Sequence, residues 1–273
     1  ITKIRSTMDE DRNDASLFLG GVPMIRNDVI AYITSDLILF SLAVVLIMSI
    51  ILAIIFHSIR WVLMPIIISV TGALLMTGFI GAIGWKVTVI SANFFSLLLV
   101  MTLSVTIHLV VRYRELAKNN PEAELSNLII QTLEQMIKPC WLTTITTIAA
   151  FASLTMSNVR PVIDFGLMMS IGVSIALLIS FIAFPILMIL LPKPKVDNHI
   201  DQFPMVQKLA IITDKFGRQI IVALILIVLV SLSGVTKLSV ENSFIDYFKK
   251  STEINQGLNF IDKELGGTVP LEI

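Results

Sequence analysis

The sequence predicts an all-α, polytopic membrane protein, and three observations predict it. Of the 273 residues, 55% are hydrophobic and only 15% are charged, against roughly 25% charged in an average soluble domain. Uncharged runs long enough to cross a bilayer recur along the chain, where about 20 helical residues span a hydrocarbon core about 30 Å thick. Lys and Arg gather in alternate loops. The same composition excludes intrinsic disorder. Twenty basic residues balance twenty acidic ones with no basic block, which speaks against nucleic-acid binding. The single cysteine, Cys140, cannot form an internal disulfide.

The elements follow in order. Residues 1–35 are polar and carry the run Asp9, Glu10, Asp11, Arg12; Gly20-Gly21-Val22-Pro23 reads as a turn. Residues 24–36 are expected to form a helix that leads into the membrane. Six spans are predicted, at 37–59, 61–85, 87–111, 139–159, 165–192 and 219–236. Buried soluble helices fail on length and number, and backbone polar groups in lipid must be satisfied within the segment, which favours helices. Pro65 and Pro185 lie inside the second and fifth spans and should kink or loosen them. In residues 122–137, Leu125, Leu128, Ile129, Leu133, Met136 and Ile137 share one helical face, with Glu122, Glu124 and Glu134 off it. That segment is expected to lie along the cytoplasmic membrane surface. Residues 193–218 read as a cytoplasmic linker, and 237–273 as the start of an external domain.

Orientation comes from the loops. Arg60, Arg112, Arg114, Lys118, Lys138, Lys193, Lys195, Lys208, Lys215 and Arg218 fall in one alternate set, and only Lys86 and Arg160 in the other. The larger set is assigned to the cytoplasm, which puts both ends outside; in a bacterial inner membrane that is the periplasm. The start at Ile1 and the strand-like close Thr-Val-Pro-Leu-Glu-Ile lead to the expectation of an internal piece of a longer chain.

No enzyme motif is present: no phosphate loop, no His-Glu-x-x-His, no Gly-x-Ser-x-Gly, no Cys-x-x-Cys. No catalytic residue, metal or cofactor is expected. Intramembrane polar residues are therefore the place to look. The third span carries Ser91, Asn93, Ser96, Thr102, Ser104, Thr106 and His108. Ser104 and His108 are four apart and share a face. His108 reads either as part of a proton path, since His changes charge near neutral pH, or as a neutral side chain bonded to a neighbour or reaching the interface. Thr143, Thr144, Thr146 and Thr147 in the fourth span either face those polar groups as a relay or pack at a tight interface. Asp164 reads as an i, i+4 partner of Arg160. Gly166, Ser170 and Ser174 repeat every four residues, and Gly78, Gly81 and Gly84 cluster; both sets read as close helix packing.

Several motifs together resemble a known superfamily. Phe56-His57-Ser58-Ile59-Arg60-Trp61 through Pro65 comes first. It is followed by Ile107-His108-Leu109 with Arg112-Tyr113-Arg114-Glu115, and by Leu142-Thr143-Thr144-Ile145-Thr146-Thr147 with Phe151-Ala152-Ser153-Leu154. Pro161 through Gly166 and Pro185 come next, then Asn242-Ser243, Asp246-Tyr247-Phe248 and Gly266-Gly267-Thr268. In this order they resemble RND transporters of the MMPL, or hydrophobe-exporter, branch, with residues 36–192 similar to a sterol-sensing domain. The resemblance implies an RND-type helical bundle whose helices here are two to seven of twelve, flanked by partial α+β external porter domains. It implies proton-driven export of a hydrophobic or lipid-like substrate. It implies as partners membrane lipids, that substrate, the second half of the same chain, and a homo-oligomer. Many members carry the proton on an acid in the helix that is third here. That position falls on Ser104, with Val105 beside it, and neither is acidic. The relay candidates are then Ser104, Thr106, His108, Thr143, Thr144 and Thr147. Two other readings stay open: a non-transporting lipid-sensing scaffold, which the missing acid favours, and an accessory subunit of protein translocation.

Overall fold

The structure, a computed structural model, describes residues 4, 6–8, 22–88, 91–190, 204–235 and 252–264. The chain divides into two compact units, Ile1–Arg26 with Asp197–Ile273, and Asn27–Val196. Seven α-helices hold most of the described residues: α1 Val22–Phe56, α2 Ile59–Ala82, α3 Phe94–Asn119, α4 Leu125–Ser153, α5 Arg160–Leu190, α6 Pro204–Val235 and α7 Glu253–Glu264. The first six are each long and apolar enough to cross a membrane. No strand occurs among the described residues. The α+β external domains and the Asn242–Gly267 motif residues expected of them fall largely outside the described residues.

In the second unit, α2, α3 and α5 pack against one another and α4 packs on α3 and α5. Helix α1 stands largely apart and joins the core through Leu52 and Phe56 near its end. It stops at Phe56 because His57 takes a left-handed backbone (φ 51°), and two residues later α2 begins. Two apolar clusters form the core. One holds Trp61, Met64, Tyr113, Leu128 and Phe184; the other holds Met76, Phe94, Leu98, Met168 and Val173. Both Pro65 and Pro185 sit inside unbroken helices.

The segment 122–137, expected to lie along the cytoplasmic membrane surface, enters α4 at Leu125, and α4 runs without a break through Pro139. Its apolar face meets protein: Leu128 and Ile129 bury against Tyr113, Leu116 and Ala117 of α3. Arg112 Nε donates to Gln135 Oε1 at 2.6 Å across the same pair of helices. A protein partner satisfies that face as well as lipid would, and for this reason α3 also continues past the apolar run, to Asn119. The expected linker at 193–218 is helical from Pro204, continuous with the sixth span across a kink at Phe216 (φ −117°, ψ 18°); residues 193–203 lie outside the described residues. Along 221–234 every residue of α6 is exposed, and this stretch, apolar all round apart from Ser231, Ser233 and Gly234, is the surface of a helix made for lipid or helix partners.

The close of α2 positions a residue used below. The Trp85 N–H donates to the Ile80 carbonyl (3.1 Å), the Gly84 N–H donates to the Gly81 carbonyl (3.1 Å), and Gly84 has φ +66°. This is the glycine-terminated C-cap in which the chain folds back so that an apolar side chain covers the last turn. Here Trp85 lies over Ile80 in the second cluster. A Cβ at Gly84 would meet nothing within 4 Å, so Gly84→Ala is expected to cost about 1–2 kcal/mol through the backbone alone. Gly81→Ala, equally open but helical, should be neutral or gain up to about 1 kcal/mol. Thermal unfolding in detergent separates them. The Gly78, Gly81 and Gly84 cluster is thus not a close-approach surface within the described residues. Beyond the turn, Thr88 and Ser91 exchange side-chain-to-backbone bonds (2.7 and 3.3 Å) just before a 3₁₀ turn, Ser91–Asn93, that leads into α3.

Candidate functional site

Between the two apolar clusters, the α2–α3–α5 junction is polar and buried. Ser69, Thr102, Thr106 and Ser180 are all buried there. Gly72 permits the approach: a Cβ on it would lie 3.1 Å from Ile179 Cγ2 and 3.4 Å from Thr102 Cγ2. Each hydroxyl is discharged within its own helix. Ser69 donates to the Pro65 carbonyl (2.8 Å), Thr102 to Leu98 (2.8 Å), Thr106 to Thr102 (2.9 Å) and Ser180 to Ala176 (2.7 Å). One contact crosses between helices, Thr106 Oγ1 to Ser180 Oγ at 3.3 Å. Such a layer fixes the separation of α3 and α5. It holds no group that takes up a proton at neutral pH, and its hydroxyl hydrogens are committed to carbonyls.

The relay candidates do not come together. Thr106 belongs to the buried layer, whereas Ser104 and His108 are exposed on the opposite face of α3. Their stripe continues through Leu97, Met101, Val111 and Glu115, and all but the half-buried Met101 are exposed; the steps of four and three place them on one face of α3. Thr143 is exposed and donates to the Pro139 and Cys140 carbonyls (3.1 and 2.9 Å). Thr147 donates to the Thr143 carbonyl at 2.7 Å, and Thr144 is buried. Among the described residues no hydrogen bond joins the α4 threonines to Ser104, Thr106 or His108, and no group of three His, Cys, Asp or Glu converges.

The packing candidates divide too. A Cβ on Gly166 would lie 2.6 Å from the Phe151 carbonyl oxygen and 2.9 Å from Leu154 Cβ, so α4 and α5 meet backbone to backbone there. Ser170 and Ser174 turn their hydroxyls back onto α5, to the Gly166 and Ser170 carbonyls (2.8 and 2.9 Å).

Sequence reasoning missed Ser69, Ser180, Gly72 and Gly172. Gly72 is flanked by Thr71 and Ala73, and Gly172 lies between Ser170 and Ser174, so the available signal was small-residue spacing within apolar runs. It also mispaired Asp164. The carboxylate accepts from the Trp85 indole (Nε1 to Oδ1, 3.3 Å) rather than pairing with Arg160. At the other end of the same helices, Arg60 Nη2 donates to the Met188 carbonyl (3.3 Å), one of the carbonyls a helix end leaves without an intrahelical partner.

Compared with known proteins, residues 1–199 match the model of the MMPL family. No curated protein matches the chain.

Proposed function

We propose that this chain, which belongs to the MMPL family, supplies helices two to seven of the twelve-helix membrane machinery of an exporter for a hydrophobic or lipid-like substrate. It sits in the bacterial inner membrane with the Arg60 end cytoplasmic, the Trp85 end external, and both ends of the chain outside. Its work is transport, not bond chemistry, and the proton gradient drives it. The observation that carries the transport reading is the family match over α1–α5 together with six helices long enough to span.

His108 is the group proposed to couple the gradient. It is the titratable side chain on the exposed stripe of α3 within the apolar run, and a charge carried through 100 mV releases about 2.3 kcal/mol. An imidazole facing lipid is costly, so this face is proposed to pack against the second half of the same chain, where Ser104 and His108 would border a water-accessible seam. The missing acid at Ser104 or Val105 favours one other reading, a lipid-sensing scaffold without transport.

Full-length protein in proteoliposomes, with a fluorescent phospholipid as the probe, separates the two. Probe movement that requires a proton gradient and collapses with a protonophore is the expected result; movement indifferent to the protonophore, or none, removes the coupled exporter. His108→Ala is expected to lower gradient-driven movement about a hundredfold or more, the range that positioned general acid–base groups span, and to flatten its pH dependence. Unchanged movement at every pH would assign His108 to packing.

A further inference from the structure

We propose that the Trp85–Asp164 hydrogen bond is a releasable clasp between α2 and α5, and that α2 swings about its opposite end when the clasp opens. The two helices are antiparallel and tied near both ends, by Trp85 to Asp164 and by Arg60 to Met188. The two ties are unequal. At the Arg60 end, the guanidinium also sits 5.4 Å from the Trp61 ring centroid, and Arg114 sits 4.9 Å from Phe56 and 6.0 Å from Trp61. Trp61 stacks at 5.8 Å on Tyr113, which meets Phe184 at 6.4 Å. Four helices are bound into that knot of rings and cations, each contact adding to the rest. At the Trp85 end, the polar tie between α2 and α5 is one half-buried hydrogen bond, and the remaining contact is apolar packing of Ile80 and Trp85 in the second cluster.

Between the ends, among the described residues, no hydrogen bond ties α2 to α5. Ser69, Thr71 and Thr77 bond back to their own helix. The seam is filled by Met64, Met76, Met168, Met169 and Met188, all fully buried, and smoothed where Gly72 meets Ile179 and Gly172 meets Leu98 and Met76. Thioether side chains repack at low cost. A helix bound tightly at one end, lightly at the other and through adaptable side chains between them opens at the light end. Gly84 is part of the device, because its left-handed turn is what carries the Trp85 indole back to Asp164. The bearing of the clasp on export rests on the function proposed above; the clasp itself does not.

The test uses cysteine labelling in the full-length protein, with every native cysteine, including buried Cys140, replaced. Ile80→Cys reports the seam beneath Trp85, and Met64→Cys reports the knotted end. A small water-soluble maleimide is applied to both membrane faces without substrate, so the result is independent of transport. Asp164→Ala and Trp85→Phe are each expected to speed labelling at Ile80→Cys by up to about tenfold, the effect of losing one hydrogen bond, and to leave Met64→Cys unreactive. Asp164→Asn keeps an acceptor oxygen and should stay near the parent rate. Unchanged labelling at Ile80→Cys, or an equal rise at both positions, would overturn the clasp. A confirmed clasp in a protein that moves no lipid probe would instead count against the exporter.

Discussion

Gly166→Val is expected to prevent the bundle from assembling, or to destabilise it by at least about 3 kcal/mol. Overpacked cores lose about 1–3 kcal/mol when side chains can give way, but here the obstruction is backbone. The Cβ would lie 2.6 Å from the Phe151 carbonyl oxygen, a distance that real Cβ atoms do not reach. To relieve it, the last turn of α4 and the 3₁₀ turn Leu154–Met156 must move away from α5, which also parts the edge-to-face contact of Phe151 with Phe165 (5.9 Å). The measurement is thermal unfolding and size-exclusion behaviour in detergent. Gly78→Ala is the control, since nothing lies within 4 Å of that position, and it should behave as the parent does. Ser170→Ala should cost no more than about 1 kcal/mol, because the hydroxyl it removes serves only its own helix. A Gly166→Val protein with parental stability would mean that α4 and α5 do not meet as described.

The contrast between Gly166 and Gly78 marks how far the sequence is legible. Apolar length reveals that a helix crosses a membrane, because lipid imposes that length on it, and each of the six spans falls on a helix of the structure. It does not reveal where the helix ends. Protein contact extends α3 to Asn119 and α4 back to Leu125, and a left-handed glycine closes α2 at Ala82. Nor does it reveal which face turns inward. In water the apolar stripe of a helix points to the core, but lipid is as apolar as the core, so the pattern around a spanning helix carries little direction. Ser104 and Thr106 are two residues apart and equally polar on paper; one is exposed and the other fully buried. The hydroxyl-bearing residues could therefore be found from the sequence, but not sorted into a buried layer and an outward stripe. The Trp85–Asp164 and Arg60–Met188 ties are further out of reach, joining positions 79 and 128 residues apart.

Trp61→Ala carries the other large effect, expected at about 3–5 kcal/mol, the range for removing a packed aromatic from a core. Trp141→Ala should fall within about 1 kcal/mol, because Trp141 is 53% exposed where Trp61 is 5% exposed. Residue type and hydropathy are identical, so burial alone separates the two. In lipid the loss does not come from water exclusion, since helices there gain little from hiding apolar surface. It comes from the contacts themselves: the Tyr113 ring, the two guanidinium groups of Arg60 and Arg114, and the volume left empty beside Phe184. Because Trp61 is the hub of the end about which α2 is proposed to swing, its removal has a second consequence, opposite in place to that of Asp164→Ala. Maleimide labelling should rise at Met64→Cys and stay near the parent rate at Ile80→Cys. If Trp61→Ala instead loosened the Trp85 end first, the knot of rings would not be the fixed end, and the direction in which the helices part would have to be reversed.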